Sequence, residues 1–389
     1  MSGNWGCFSR LDRAARSARL VPPHSQLPTR RSVMAHPYEI VELAQRLGKL
    51  AEHKIDGINE INRASSYLAI NALIESARAG AAGAGFVVVA REVKRVSTQI
   101  GELANSLSLD LATEIKRLAE LGDEVLRRME SQQGQRLTDL ALNLIDIIDR
   151  NLYERSCDVR WWATDSAVVE AVTHCDVASA AQASQRLGVI LDSYTVYLDL
   201  WVVDANGRVL ANGRPDRYPG VMGSDVRGQP WFERAMDTGS GNDFASTDIE
   251  ALEPLGGALV ASYSTAIRRG GAAHGEPLGA LVIFFDWHTQ AQAVVGGVKF
   301  SDEERERGRA LILDSNHRVI ASSDGRGVLT EVMKLPALKE PTGQLRSRDG
   351  ALLGYAKTPG YETYRGMGWS GVITLRPAPP AQRPALTVA

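Results

Sequence analysis

The chain lacks any run apolar enough to span a membrane. Its longest apolar stretches, such as Ala280–Phe285, fall far short of the roughly 20 residues a bilayer-crossing helix needs. Cysteine is scarce. Cys7, Cys157 and Cys175 are scattered, odd in number and without a CxxC pair, which gives no case for a disulfide framework or a zinc site and fits a reduced, cytoplasmic setting. The histidines, at 24, 36, 53, 174, 274, 288 and 317, form no HxxxH or HExxH group, so no metal and no cofactor is expected. Gly80–Gly85 lacks the Lys-Ser/Thr ending of a phosphate-binding loop. No kinase, cyclase or phosphodiesterase module can be read, and the expectation is a protein that is not an enzyme and has no catalytic residues. Neither sign of charge dominates: 44 Lys+Arg stand against 46 Asp+Glu. That balance supplies no field for nucleic acid.

With 389 residues, 44% hydrophobic and 23% charged, the chain has the composition of a globular protein of two or three domains. Residues 1–35 carry Arg10, Arg13, Arg16, Arg19, Arg30 and Arg31 against the single acid Asp12 and have no apolar core. They read as a disordered extension rather than a secretory signal, with Met34 as an alternative start. Residues 377–389 read as a disordered tail.

From 36 to about 79 the text is helical. Ile40, Leu43, Leu47 and Leu50 fall at heptad spacing, and Ile55, Ile58 and Ile61 continue an apolar stripe. Gly80, Gly83 and Gly85 then disfavour further helix and permit a tight reversal. A second helical stretch follows from Phe86, with Val89, Val93, Val96, Ile100, Leu103 and Leu107. Two helices joined by a glycine turn predict an antiparallel hairpin with one apolar stripe, which a dimeric four-helix bundle would bury. Helical text persists over 109–155, with a junction at Gln132-Gln133-Gly134-Gln135, and strand-like runs begin after about Ala178.

An internal repeat follows. Leu200-Trp-Val-Val-Asp204-Ala-Asn206-Gly-Arg208-Val209-Leu-Ala211 aligns without a gap on Ala310-Leu-Ile-Leu-Asp314-Ser-Asn316-His-Arg318-Val319-Ile-Ala321, 110 positions further on. Each copy reads as a strand, an Asp-x-Asn-x turn and a strand. Further strands are expected at Leu259–Ala266 and Leu278–Asp286 after the first copy, and at Leu352–Lys357 and Trp369–Leu375 after the second. This pattern predicts two related α+β modules in tandem.

The string Leu68-Ala-Ile-Asn71-Ala-Leu-Ile-Glu75-Ser-Ala-Arg78-Ala-Gly80, with Gly83 and Gly85-Phe-Val-Val-Val-Ala90-Arg-Glu-Val-Lys94, resembles the cytoplasmic signalling tip of methyl-accepting chemotaxis proteins. The resemblance is ungapped and strong over about 40 residues. It implies that Tyr67, Ile70, Asn71, Glu75, Arg78 and Val88 contact neighbouring receptors, a chemotaxis histidine kinase and its coupling protein. Ala69, Ala72, Ser76, Ala77 and Ala79 would let the helices approach closely. The chain departs from the pattern at Arg63, where the family has Phe, at Ala64-Ser65-Ser66 in place of Gln-Thr-Asn, and at Ala81 and Ala84 in the turn. Glu42 with Gln45 and Glu120 with Glu124 stand where short remnants of methylation sites would lie.

Residues 136–376 resemble the double Cache sensor domain of chemoreceptors and histidine kinases. The motifs are a leading helix ending near Trp161-Trp162, the Asp204 hairpin, Gly223-x-Asp225-Val-Arg-Gly-Gln-Pro-Trp231-Phe232, Gly279–Asp286, and the closing Gly354–Trp369 segment. The resemblance implies a ligand site in the first module at Arg227, Gln229, Trp231, Phe232 and Asp286. Gln229 replaces the expected arginine and Phe232 the expected tyrosine, so the pattern of a standard amino-acid site is incomplete.

The expected fold is α+β: a disordered stretch 1–35, a transducer hairpin 36–108, a helical linker 109–135, and a sensor 136–376 with modules of about 136–295 and 296–376. The expected function is a cytoplasmic, homodimeric chemoreceptor-like transducer whose small-molecule ligand controls a histidine kinase through the hairpin tip. The alternative is a ligand-binding dimeric scaffold whose hairpin has lost kinase control.

Overall fold

The computed structural model describes residues 37–377; the expected extension 1–35, Met34 and nearly all of the expected tail lie outside them. The chain divides into two compact units between Arg127 and Arg128, inside the stretch expected as a linker.

The first unit contains an antiparallel hairpin whose paired arms run past the expected bound at 108. Helix α1 runs Pro37–Arg78, a single 3-10 turn spans Gly80–Gly83, and α2 begins at Ala84. Gly80 takes a φ of +60°, which only glycine adopts freely. The two arms meet along a seam at seven-residue spacing whose residues are small near the turn. Val41, Gly48, Ile55, Asn62, Ala69 and Ser76 face inward from α1, and Gly83, Ala90, Ser97, Ala104, Leu111 and Leu118 from α2. The approach is close: a Cβ on Gly122 would lie 2.8 Å from Val41 Cγ2, and one on Gly83 2.2 Å from the Ser76 carbonyl. Of the five small residues expected to allow this, Ala69 and Ser76 lie in the seam, while Ala72, Ala77 and Ala79 face solvent.

The expectation of a single apolar stripe is corrected. The bulky set Phe86, Val89, Val93, Val96, Ile100, Leu103 and Leu107, together with Leu43, Leu47, Leu50, Ile61 and Leu68 of α1, points away from the partner arm and is exposed. The physical reason is size: near the turn small side chains occupy the intra-hairpin seam, so the large ones there fall on a second face.

Helix α2 continues unbroken to Trp162. The expected junction at Gln132–Gln135 is absent. Gly134 marks a close approach instead, since a Cβ there would sit 1.4 Å from Gln344 Oε1. The text after Ala178 is also helical. α3 (Ser166–His174) is capped by Asp165, and α4 (Val177–Ser193) by Asp176, whose carboxylate accepts from Ser179 N at 2.8 Å. Strands begin only at Tyr197.

The second unit carries two antiparallel sheets. The first contains β1 (Tyr197–Asp204), β2 (Val209–Asn212), β3 (Ala245–Ser246), β4 (Glu250–Leu252), β5 (Ala258–Arg268) and β6 (Pro277–Asp286), ordered β2-β1-β6-β5-β3 with β4 also on β5. The second contains β7 (Gly308–Leu313), β8 (Val319–Ser322), β9 (Thr342–Arg346), β10 (Leu352–Lys357) and β11 (Ser370–Leu375), ordered β8-β7-β11-β10-β9. The two orders are equivalent, and the repeat is reproduced atom by atom. Asp204 Oδ1 accepts from Asn206 N at 2.8 Å and Arg208 N at 2.9 Å, and Asp314 Oδ1 accepts from Asn316 N and Arg318 N at the same distances. Both hairpins shift register at matching positions, Val202/Val203 and Ile312/Leu313.

The C-terminal part of α2 is the spine of this unit. Leu137, Ala141, Leu144, Ile145, Ile148, Leu152 and Val159 share one core with both sheets. Its backbone touches the second sheet through glycines: a Cβ on Gly354 would lie 2.3 Å from Leu137 C, and one on Gly371 2.5 Å from the Ala141 carbonyl. Asp149 of α2 accepts from Thr358 Oγ1 at 2.5 Å and Gly360 N at 2.8 Å. The modules are joined by Tyr263–Tyr364 hydroxyls at 3.1 Å, by Trp287 Nε1 donating to the Ile320 carbonyl at 2.6 Å, and by the Trp287–Trp369 ring pair at 5.0 Å. Because the polar tips of these buried aromatics find partners, the inter-module contact is packed and satisfied.

Candidate functional site

The hairpin tip presents its predicted set outward. Tyr67, Asn71, Glu75 and Arg78 are three or four residues apart and so lie along one side of α1. These four, Ile70 beside them and Val88 on α2 are all exposed. Arg78 Nη1 lies 2.8 Å from Glu75 Oε1, with both side chains mostly in solvent. An exposed pair of this kind adds about 0.2–0.5 kcal/mol. The fold can spare these residues. Arg63 is also exposed.

The sensor candidates are dispersed by the structure. Trp231 and Phe232 begin the short helix α5 (Pro230–Met236) and are buried against the outer face of the first sheet. Trp231 stands edge-on to Trp201 at 6.2 Å and to Phe284 at 5.9 Å. Gln229 is the residue before α5 and makes no side-chain cap. Asp286 ends β6 and caps α6 (Trp287–Gly296), accepting from Thr289 N at 3.3 Å. Arg227 turns into solvent, with Nη2 2.5 Å from Asp225 Oδ2; this pair holds the Asp225 carboxyl down at about 2. Of the five, Trp231, Phe232 and Asp286 therefore share one face of the sheet, and Arg227 is committed to a surface ion pair.

Besides Trp231, two residues with polar groups on or beside that face, Asp199 and Ser262, were not singled out by the sequence. Asp199, fully buried on β1, accepts from Leu200 N, Trp201 Nε1, Asn212 Nδ2, Gly213 N and Arg214 N, all within 3.0 Å. Burial pushes its carboxyl above the ordinary carboxylate value, while those donors pull the other way. Trp231 Nε1 and Ser262 Oγ are buried and have no hydrogen-bonding partner among the described residues. Ser262 pairs across the ladder with Phe284, and Ser264, next on the same face, donates to the Trp231 carbonyl at 2.8 Å. The signal for Asp199 was present: an acid inside the apolar run Tyr197–Val203 has to be satisfied where it stands.

Among the described residues, no group of His, Cys, Asp or Glu is placed to hold a metal, and no helix is long and apolar enough to cross a membrane.

Residues 31–154 match the methyl-accepting chemotaxis protein (MCP) signalling domain. The match runs beyond the hairpin expected at 36–108 and along α2, as the unbroken helix allows. Methyl-accepting chemotaxis protein IV of Escherichia coli is 37% identical over 119 residues, covering 30% of this chain and 19% of that protein. Frizzy aggregation protein FrzCD of Myxococcus xanthus is 28% identical over 145 residues, covering 37% of this chain and 34% of that protein. The chain thus spans less than two thirds of the length of these curated relatives. Among solved structures, the sensory domain of the Campylobacter jejuni chemoreceptor Tlp3 aligns at 15% identity, with a TM-score of 0.49, over 64% of this chain and 96% of that one. The similarity to the methyl-accepting chemotaxis protein signalling domain thus lies in residues 31–154.

Proposed function

We propose that the protein is a chemoreceptor-type transducer in which a small molecule bound by the second unit controls a chemotaxis histidine kinase through the hairpin tip. The observation that carries this reading is the outward presentation of Asn71, Glu75 and Arg78, in family register, on a hairpin whose own packing does not use them. The coupling protein and the kinase are the proposed partners there, with Tyr67, Ile70 and Val88 as flanking contacts. The sensor's ligand would sit on the outer face of the first sheet, against Trp231, Phe232 and Asp286, with Gln229 and Arg227 at the rim. The unpartnered Trp231 Nε1 and Ser262 Oγ support that placement, because a buried donor without an acceptor costs about 1–3 kcal/mol that a ligand's polar atom would recover.

The exposed heptad face of α2 supports a homodimer. In a pair, Val96 and Leu103 of each copy would be buried in a four-helix bundle. The double substitution Val96→Glu with Leu103→Glu is expected to shift light-scattering mass from dimer to monomer at micromolar concentration; an unchanged dimer contradicts this interface. A cytoplasmic protein is proposed with it. Recovery in the membrane fraction after high salt, in cells without other receptors, would contradict that placement.

The tip is tested by pull-down. Wild-type protein is expected to retain the coupling protein, and Glu75→Ala and Arg78→Ala to lose it at unchanged thermal stability, since exposed substitutions of this kind change stability by within about 0.5 kcal/mol. Equal retention by both variants would favour the reading as a ligand-binding scaffold, which the charge at Arg63 also favours: the family has Phe there, and a cation resists burial between receptors.

A further inference from the structure

At the C-terminal end of α2 the first module holds a second feature, a cavity of about 330 Å³. Cys157, Arg160 and Trp161 of α2 form one wall, and Ala266 and Arg268 of β5 another. Backbone at Gly241–Asn242 and Gly271–Ala273 closes the sides. None of Trp231, Phe232 or Asp286 lines it, and neither does any carboxylate.

Two guanidinium groups border this space without an acid to balance them. Arg268 is only 7% exposed. Its Nη1 donates to the Gly275 carbonyl at 2.9 Å and its Nη2 to the Thr238 carbonyl, while Nε has no partner among the described residues. Arg160 donates from Nε to the Ser156 carbonyl at 2.7 Å, from Nη1 to the Asn242 carbonyl at 3.2 Å, and from Nη2 to Cys157 Sγ at 3.4 Å. The other strongly buried arginine of this unit, Arg155, behaves differently: it lies between Asp158 and Glu154, at 3.3 and 3.0 Å. A buried cation held only by neutral acceptors keeps its charge uncompensated, and such a charge is expensive unless an anion meets it.

We propose that this cavity binds a small oxyanion, a carboxylate or a phosphate carried on a short carbon skeleton. The Arg160 guanidinium makes charge-assisted hydrogen bonds to its oxygens, and the Arg268 guanidinium in the wall adds a second positive charge. Ala163, Ala266 and the ring of Trp161 supply an apolar wall for the rest of the molecule. The volume lies at the low end for ligand sites, which suits a metabolite rather than a peptide. Arg160 and Trp161 belong to the last turn of α2, so occupancy acts directly on the end of the helix that begins at the hairpin turn. The site stands whether or not the tip controls a kinase, and its test reads binding alone.

The test is calorimetric titration of the full chain, at constant ionic strength, with inorganic phosphate in one arm and sodium butyrate in the other. Saturable binding at millimolar concentration or tighter is expected in at least one arm, and the arm that binds identifies the oxyanion. Arg160→Gln, at a half-buried position held by backbone carbonyls, is expected to weaken that binding at least tenfold. Ala273→Trp, which fills the cavity while leaving both arginines, is expected to abolish it. Absence of saturable binding in both arms overturns the proposal, and so does binding of equal affinity in wild type and Arg160→Gln.

Discussion

Replacing Gly354 by valine is expected to unfold the sensor unit at temperatures the wild type tolerates. Gly354 lies on β10 where the sheet meets α2, and a Cβ there would be 2.3 Å from both Leu137 C and Thr138 N. Those are backbone atoms of a helix buried in the shared core, so no rotamer change relieves the clash. Overpacking of this kind costs about 1–3 kcal/mol when side chains can give way, and more when they cannot. A loss of about 3 kcal/mol or more would lower the melting temperature by roughly 6–12 °C for a unit of this size. A melting temperature within a degree of wild type, measured by circular dichroism, would contradict the direct backbone contact between α2 and the second sheet.

Asp199→Ala is expected to be comparably damaging, for an electrostatic reason. The carboxylate accepts five hydrogen bonds in a site closed to water, two of them from the side chains of Trp201 and Asn212. Truncation takes the acceptor from those donors and from the Leu200 and Arg214 N–H groups, while Gly213 N keeps the Leu200 carbonyl at 3.0 Å. Each stranded group costs about 1–3 kcal/mol, though not additively. Chemical denaturation should show a loss of about 3–5 kcal/mol. Asp199→Asn keeps one acceptor oxygen and should lose less. If alanine is the milder of the two, the site is wetter than the hydrogen-bond network implies.

Much of this architecture is legible in the sequence because local chemistry and global packing agree. The Asp-x-Asn-x turns at Asp204 and Asp314 encode their own hydrogen bonds, so the repeat fixes both hairpins and leads to two sheets of equivalent order. The expected strands at 259–266, 278–286, 352–357 and 369–375 lie within one residue of, or inside, β5, β6, β10 and β11. The failures have equally local causes. Ala183, Leu187, Ile190 and Leu191 fall at helical spacing behind the Asp176 cap, but the short alanine- and serine-rich run of α4 carries a weak apolar signal. Gly134 looks like a helix breaker in isolation, and only the position of Gln344 shows that it is a point of close approach. The outward turn of Phe86 and Leu103 follows from the small residues opposite them, which a search for bulky heptads passes over.

The candidate site was legible at the hairpin tip and much less so in the sensor. At the tip, the residues proposed as contacts are all exposed along one helix, so spacing is enough to place Tyr67, Asn71, Glu75 and Arg78 on one side of it. In the sensor, Arg227 and Trp231 are close in sequence yet diverge, one into an ion pair with Asp225 and the other into the core. Arg160 and Arg268 meet at one cavity although 108 positions separate them, and no sequence motif links the two.

The central claim, that this chain transduces a signal to a histidine kinase, is tested most directly by kinase autophosphorylation in a reconstituted mixture of the chain, the coupling protein and the kinase. The account predicts that wild-type protein changes the autophosphorylation rate several-fold and that Glu75→Ala and Arg78→Ala, folded and dimeric, leave it at the level of kinase and coupling protein alone. A wild-type chain that binds neither partner and leaves the rate unchanged would contradict it.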